Sequence, residues 1–312
     1  MIKATPLGVR SRAEPEPVHD RGVMDARLPN CGGEIGHVSE RVGRTVSQER
    51  PQVSADTAQH VALKLSGIEC SFGGVQAVAG VSFDVMDGEF VGLIGPNGAG
   101  KSTLLDCVSG LNRSYRGRVV WDGRDITRWP LHRVAQAGLV RTFQVPRLFR
   151  RMTALSNVMV GPRNQLGENL GAVISGSWRR QESELLAEAY RTLRRFDLSY
   201  VANNYGSDLS GGQERLLELC RAIMFRPRML LLDEPFAGVS PTNRRRLADL
   251  LTGVWRDEKV TIVMVEHRLE WIEELCNRIL VMANGTLIAQ GSMADVRKNR
   301  EVVDSYLGGA LE

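Results

Sequence analysis

From about residue 61 onward, hydrophobic and polar positions follow regular patterns with two different periods. Leu63–Leu65 and Val81–Val85 alternate with a period of two, as strands with one buried face do. By contrast, Met229–Leu232 and Val260–Val265 are unbroken hydrophobic runs, which suit strands that are covered on both faces of a parallel sheet. The patterns together predict an α/β protein with a buried parallel sheet and an additional antiparallel sheet.

Turn residues place two hairpins along these strands. Asn284–Gly285 lies between the hydrophobic segments Ile279–Met282 and Thr286–Ala289, which is typical of a two-residue hairpin turn. Asp87–Gly88 lies in the same way between the second alternating strand and Phe90–Ile94. We therefore expect a hairpin at each of the two turns.

A helical region interrupts the strands in the middle of the chain. Between Glu182 and Phe196, hydrophobic residues recur at helical spacing. The predicted face consists of Leu185, Leu186, Ala189, Tyr190, Leu193 and Phe196. We expect an inserted helical subdomain at about residues 150–225.

The first 60 residues differ in composition from the rest of the chain. They contain no Phe, Trp or Tyr and carry five prolines among intermixed charges. Such a segment cannot bury enough hydrophobic surface to offset the entropy lost on ordering. The sequence predicts a disordered extension over residues 1–60, without the hydrophobic core of a secretory signal.

Composition narrows the possible functions. The chain has 312 residues, 43% of them hydrophobic, and a formal net charge of +4. No hydrophobic run approaches the roughly 18 residues of a membrane span, and this slight, dispersed charge does not indicate nucleic-acid binding. The five cysteines are far apart and form no C-x-x-C pair, so neither a disulfide framework nor a zinc site is expected.

One segment indicates phosphate binding. It fits the pattern G-x-x-x-x-G-K-[ST] and lies between the hydrophobic run Phe90–Ile94 and a predicted helix. Its residues are Gly95, Pro96, Asn97, Gly98, Ala99, Gly100, Lys101, Ser102 and Thr103. Glycines allow successive N–H groups to surround a phosphate, and the helix start adds further donors. We expect Lys101 to contact the β- and γ-phosphates of a nucleotide and Ser102 to bind Mg²⁺.

Two carboxylates follow the hydrophobic run Met229–Leu232. Asp233 and Glu234 are therefore expected at the carboxyl end of a parallel strand, where α/β sheets bind ligands. Asp233 is a candidate ligand of Mg²⁺, and Glu234 is a candidate general base for an attacking water.

A second motif gives the chain a family resemblance. Leu209 is followed by Ser210, Gly211, Gly212 and Gln213, and then by a predicted helix. Together with the phosphate-binding segment, this motif resembles the signature of ATP-binding-cassette (ABC) ATPases. The resemblance implies a P-loop NTPase core with an antiparallel β subdomain and an inserted helical subdomain. It also implies that Ser210 and the glycine N–H groups contact the γ-phosphate of an ATP held by the other protomer.

The same resemblance implies roles for three further residues. Gln144 stands where the family has a glutamine that binds the metal and senses the membrane partner. His267 matches the histidine that contacts the γ-phosphate, and it joins Glu234 as a catalytic candidate. Phe72 occupies the position of an aromatic residue that stacks on adenine, although the family usually has Tyr there.

The resemblance covers residues 61–308 and leaves 309–312 as a tail. Trp121–Thr127, Arg141–Gln144, Asn157–Gly161 and Asp304–Gly308 resemble the ATPases of branched-chain amino-acid importers, as does the length of the loop from Pro162 to Trp178. Urea and short-chain amide importers and lipopolysaccharide export are alternatives. A soluble cassette ATPase acting on ribosomes or DNA is a further alternative, but the single phosphate loop and the lack of sustained heptads disfavour it.

The resemblance also implies partners and a location. The subunit would form a homodimer, or a heterodimer with a paralogous ABC ATPase, and would act with two integral-membrane permease subunits. A periplasmic solute-binding protein would be an indirect partner, and no nucleic acid is expected. ATP and Mg²⁺ would be required, and the subunit would lie peripherally at the cytoplasmic face of the inner membrane.

Overall fold

The structure is a computed structural model in which residues 60–162 and 178–307 are described. The predicted disorder of residues 1–60 therefore falls on a segment that lies, apart from its last residue, outside the described residues. The same holds for the loop between Pro162 and Trp178 and for the tail at 309–312.

Ten strands and nine α-helices are described in these ranges, together with 3₁₀ helices at Ser199–Val201 and Gly206–Asp208. The strands are β1 (Val61–Phe72), β2 (Val75–Met86), β3 (Phe90–Ile94), β4 (Arg116–Trp121), β5 (Arg124–Asp125), β6 (Leu139–Arg141), β7 (Met229–Asp233), β8 (Thr261–Val265), β9 (Arg278–Ala283) and β10 (Thr286–Gly291). The helices are α1 (Lys101–Val108), α2 (Leu131–Gln136), α3 (Ala154–Met159), α4 (Trp178–Arg195), α5 (Gly211–Met224), α6 (Pro241–Asp257), α7 (Leu269–Leu275), α8 (Met293–Lys298) and α9 (Arg300–Leu307).

The strands form two sheets, which confirms the predicted α/β fold. One sheet is antiparallel, with the order β2-β1-β4-β5, and the other has the order β10-β9-β3-β8-β7-β6. Within the second sheet the strands from β9 to β6 are parallel, and β10 pairs antiparallel with β9 at the predicted Asn284–Gly285 hairpin. Every residue of β3, β7 and β8 is buried, as unbroken hydrophobic runs predict.

The hairpin predicted at Asp87–Gly88 is wrong. The chain does turn there, but β2 belongs to the antiparallel sheet and β3 to the parallel one. Strand β3 pairs with β8 on one side and β9 on the other, so neither of its edges is left for β2. The turn is also held against the parallel sheet, since the Gly88 N–H donates to Thr261 Oγ1 (2.9 Å) and the Gly88 carbonyl accepts from Trp255 Nε1 (2.6 Å).

The chain between β6 and β7 contains helices α3, α4 and α5. They share a hydrophobic core that includes Val158, Ala189, Leu193 and Cys220. The predicted hydrophobic face of α4 is too wide, because Leu186 and Tyr190 are exposed and the buried stripe is narrower. No described helix is both long and hydrophobic enough to cross a membrane.

Candidate functional site

The phosphate-loop motif forms a tight turn between β3 and α1. Gly95 and Gly100 both have positive φ, at 151° and 94°. A Cβ on Gly95 would lie 2.1 Å from the carbonyl oxygen of Met282, and one on Gly100 would lie 2.1 Å from that of Ala77. Only glycine therefore fits at these two positions, and α1 begins directly after Gly100, so that its first N–H groups belong to the motif.

The side chain of Lys101 is buried within this loop. Its Nζ donates to the carbonyl oxygens of Gly95 (2.8 Å) and Pro96 (2.9 Å). Burial lowers the pKa of the ammonium, and the nearby charges of Glu234 and Asp233 oppose that shift. An ammonium with few compensating charges would be stabilised by the oxygens of a bound phosphate.

Ser102 and Asp233 lie side by side next to the loop. Asp233 ends β7 and is buried, and its Oδ1 accepts a hydrogen bond from Ser102 Oγ (3.2 Å). Burial raises the pKa of the Asp233 carboxyl, while Arg141 and Ser102 act in the opposite direction. A hydroxyl and a carboxylate are hard oxygen donors, so the two side chains fit a Mg²⁺ ion that keeps other ligands from phosphate and water.

Glu234 and His267 form a second pair of side chains, just beyond the ends of β7 and β8. Strands β7 and β8 are in parallel register, with Asp233 opposite Val265, so the residues that follow them lie next to each other. His267 Nε2 is 2.8 Å from Glu234 Oε1. Glu234 has a φ of 50°, a left-handed conformation that few residues other than glycine adopt, and its N–H donates to the Val265 carbonyl (3.0 Å). This turn directs the carboxylate toward the histidine.

Glu266 supports this pair, and the sequence analysis did not single it out. It is 4% exposed, and its carboxylate accepts hydrogen bonds from the backbone N–H groups of Phe236 (3.2 Å) and His267 (2.9 Å). The segment that follows Glu234 and the segment that carries His267 are thereby joined by one buried side chain. The sequence signal that could have identified Glu266 is its position as an acidic residue directly after the hydrophobic run Val260–Val265.

The signature motif begins helix α5. Ser210 caps the helix by accepting from the Gln213 N–H (3.4 Å), and Gln213 Oε1 accepts in return from the Ser210 N–H (2.8 Å). Gln213 also donates to the hydroxyl of Tyr200 (3.0 Å). Ser210 is exposed, and the cap uses its oxygen only as an acceptor. Its O–H therefore remains able to donate to a ligand.

Gln144 lies in the exposed loop after β6, and two buried residues of α5 hold this loop. Glu218 accepts from the N–H groups of Phe143 (3.3 Å) and Arg147 (3.4 Å). Arg215 donates to the carbonyl oxygens of Phe143 and Gln144 and lies 3.4 Å from Glu218. Both charged side chains are only 4% exposed, and burial raises the pKa of Glu218. The sequence analysis missed both, because charged residues on a helix ordinarily face solvent.

We expect the buried Arg215–Glu218 pair to be costly to break. Arg215→Met leaves the buried Glu218 carboxylate without the arginine that neutralises it, so the free energy of unfolding should fall by about 3 kcal/mol or more. The double variant Arg215→Met/Glu218→Leu should recover part of this loss, because the buried carboxylate is then removed together with its arginine. Urea unfolding provides the measurement, and Arg180→Met, in an exposed helical pair with Glu184, is the control. Equal losses in the single and double variants would contradict the assigned pairing.

The predicted site residues thus fall into separate groups within one chain. Lys101, Ser102 and Asp233 lie together, and Glu234 and His267 form the adjoining pair. Phe72 is 54% exposed at the end of β1. Among the described side chains, Ser102 and Arg141 hydrogen-bond the Asp233 carboxylate and Gln144 does not. Ser210, on α5, is held by Gln213 and has no contact with the phosphate loop among the described hydrogen bonds.

Comparison with known proteins agrees with this geometry. A family model described as ABC transporter matches residues 78–237. A probable branched-chain amino acid transport ATP-binding protein of Archaeoglobus fulgidus is 37% identical over 79% of this chain and 95% of its own length. A high-affinity branched-chain amino acid transport ATP-binding protein of Pseudomonas aeruginosa is 37% identical over 80% of this chain and 98% of its own.

Solved structures show the same similarity. The ADP conformation of an ATP-binding cassette of an ABC transporter superimposes with a TM-score of 0.67 and 33% identity, covering 80% of this chain and 99% of that one. A nucleotide-free cassette gives a TM-score of 0.68 at 33% identity, covering 79% and 98%.

Proposed function

The chain belongs to the ABC transporter family and is an ATP hydrolase of that family, and from this premise we propose that it powers the import of branched-chain amino acids. The observation that carries the proposal is the coexistence, in one chain, of a formed phosphate loop and a signature helix whose capped N-terminal end is exposed. The transported solute follows from the relatives and not from the site, because this subunit does not itself contact the solute.

ATP would bind over the phosphate loop. The N–H groups of the phosphate loop other than Pro96, including those at the start of α1, would surround the phosphates, and Lys101 would exchange its carbonyl partners for phosphate oxygens. Phe72, exposed on the β1–β2 hairpin, stacks on the adenine ring. When bound, Mg²⁺ would be held by Ser102, Asp233 and Gln144 and would neutralise charge on the phosphates.

Each ATP would be shared between two cassettes, which are two copies of this chain or this chain and a close paralogue. The exposed Ser210 hydroxyl and the N–H groups of Gly211 and Gly212 at the start of α5 would donate to the γ-phosphate of the partner's ATP. Glu234 then accepts a proton from the attacking water, and His267 orients the carboxylate and contacts the γ-phosphate. ATP binding favours the closed dimer, and hydrolysis removes that preference.

A hydrophobic groove beside the Gln144 loop is the proposed docking site for the permease subunits. Its volume is about 500 Å³, and its lining includes Leu131, Phe143, Leu148, Phe149 and Phe225. Phe149 is 49% exposed although the Arg221 guanidinium lies 5.6 Å from the centre of its ring, so part of this aromatic surface is open to a partner protein. Since Phe143 is hydrogen-bonded to Arg215 and Glu218 on the signature helix, movement of the groove would be transmitted to both Gln144 and Ser210. This arrangement would place the subunit at the cytoplasmic face of the inner membrane, with a periplasmic solute-binding protein as an indirect partner.

Uptake by cells tests the solute class. In a strain that lacks this chain, uptake of radiolabelled leucine, isoleucine and valine should fall severalfold and return with the wild-type gene. Complementation with a Glu234→Gln variant should not restore it. If leucine uptake is unchanged while urea or short-chain amide uptake falls, the solute assignment is wrong. If the chain copurifies with lipopolysaccharide-export proteins or ribosomes, the importer assignment is wrong.

A further inference from the structure

Arg141 is a buried arginine at the centre of the site that neither motif includes. It is the last residue of β6, three residues before Gln144, and its side chain is 3% exposed. Strand β6 lies at the edge of the parallel sheet next to β7, so Arg141 reaches the carboxyl end of β7 from the side. A guanidinium at such depth requires specific partners.

The guanidinium joins β7 to the first helix. Its Nη2 donates to Asp233 Oδ2 (3.2 Å) and to the backbone carbonyl of Ser102 (3.4 Å). Its Nη1 donates to the carboxylate of Asp106, further along α1, and to Oγ of Ser109 (3.3 Å), the residue that follows α1. The planar guanidinium therefore contacts two residues of α1, the residue that follows α1, and the aspartate of β7.

The two carboxylate oxygens of Asp233 accept hydrogen bonds from different side chains. Oδ2 is held by Arg141, and Oδ1 accepts from Ser102 Oγ (3.2 Å). Rotation of the carboxylate would break both hydrogen bonds at once. The orientation that keeps them leaves Oδ1 beside the Ser102 hydroxyl, which is the pair that the proposed function assigns to Mg²⁺.

We propose that Arg141 is a positioning residue that fixes the Asp233 carboxylate and the start of α1 in the single arrangement that binds Mg²⁺ with ATP. The inference rests on the proposed function of this site. Residues that orient metal ligands commonly change metal affinity by 10- to 100-fold when they are replaced. Arg141 has no contact with the metal or nucleotide in this account, and it acts through Asp233 and Ser102.

If Arg141 acted only through its positive charge, removing that charge would strengthen Mg²⁺ binding instead of weakening it. Two variants of Arg141 distinguish this electrostatic role from the positioning role. Arg141→Lys keeps the positive charge but loses the planar guanidinium and its spread of donors, whereas Arg141→Met loses both the charge and the donors. If Arg141 orients the carboxylate, both variants should weaken Mg²⁺ binding. If only its charge matters, Arg141→Met should tighten Mg²⁺ binding by removing a repelling cation, and Arg141→Lys should behave as wild type.

The experiment measures binding of a fluorescent ATP analogue to the full chain, first in EDTA and then at increasing free Mg²⁺. In EDTA, both variants should bind the analogue within about threefold of wild type, because Lys101 and the loop are unchanged. The Mg²⁺ concentration for half-maximal tightening should rise about tenfold or more in both. Arg228→Met, which removes an exposed ion pair with Asp122, is the control and should show no change.

The other possible results of this experiment also test the role of Arg141 or the proposed function of the site. A fall in unfolding midpoint with an unchanged Mg²⁺ requirement would overturn the inference and leave Arg141 a structural residue. If the Arg141 variants do not fold, Asp106→Asn loosens the distant anchor without touching the metal-binding residues. Asp106→Asn should raise the Mg²⁺ concentration for half-maximal tightening about threefold. If that concentration does not change, the inference is overturned as well. If wild type shows no Mg²⁺-dependent tightening, the proposed function of the site fails, and not this inference alone.

Discussion

Glu234→Gln is expected to reduce phosphate release by at least about 100-fold while ATP stays bound. Glutamine has the shape of glutamate and can still hydrogen-bond to His267, but it cannot accept a proton from the attacking water. The phosphate loop, Ser102 and Asp233 are untouched, so binding of Mg-ATP should be kept. Single-turnover experiments with radiolabelled ATP measure both quantities, because bound ATP and released phosphate are counted in the same sample.

Glu258→Gln is the matched control for this change. Glu258 lies just after the end of α6 in a partly exposed ion pair with Arg195, so the same substitution there should leave turnover unchanged. Phosphate release by the Glu234→Gln variant at more than about a tenth of the wild-type rate would show that another group accepts the proton.

Lys101→Met is expected to weaken ATP binding by about 100-fold or more. The Nζ of Lys101 makes two hydrogen bonds that it can transfer to phosphate oxygens, and each charged hydrogen bond contributes about 1.5–3 kcal/mol. Methionine fills similar space without a charge or a donor. Binding of a fluorescent ATP analogue measures the loss, and Lys64→Met, which removes an exposed ion pair with Asp84, is the control.

The stability of the nucleotide-free variant separates this effect from misfolding. Burial lowers the pKa of Lys101, so the folded chain without ligand is penalised for holding the ammonium there. Its removal relieves this penalty but also loses the hydrogen bonds to Gly95 and Pro96, so the two effects oppose each other and the unfolding midpoint should change little. If the variant is destabilised, and its loss of ATP binding is no larger than its unfolded fraction explains, the role of Lys101 as a phosphate ligand is contradicted.

The sequence predicted those parts of the site that depend on local geometry. A phosphate loop consists of one short segment between a strand and a helix, and close approach of backbone explains why Gly95 and Gly100 stand there. The pair Asp233–Glu234 could be placed at a strand end because Met229–Leu232 is an unbroken hydrophobic run. Each inference needed only the residues on either side of the motif.

Contacts between distant segments could not be predicted in this way. Arg141 and Glu218 look like ordinary surface charges until the chain folds around them, because their partners lie many positions away in the sequence. The turn at Asp87–Gly88 was predicted correctly as a turn but assigned to a hairpin, because a local pattern does not show which sheet a strand joins. The roles of all the site residues stay predictions, since they require a bound nucleotide and, for Ser210, a second cassette.

The central claim is that two cassettes share each ATP, and the mass of the Glu234→Gln particle tests it most directly. Light scattering in Mg-ATP should give two cassettes with two ATP molecules, and single chains in ADP. Adding Ser210→Asp, whose charge repels the γ-phosphate, should return the ATP-bound particle to single chains. A single chain that retains Mg-ATP, or a dimer that is unaffected by Ser210→Asp, would contradict the account.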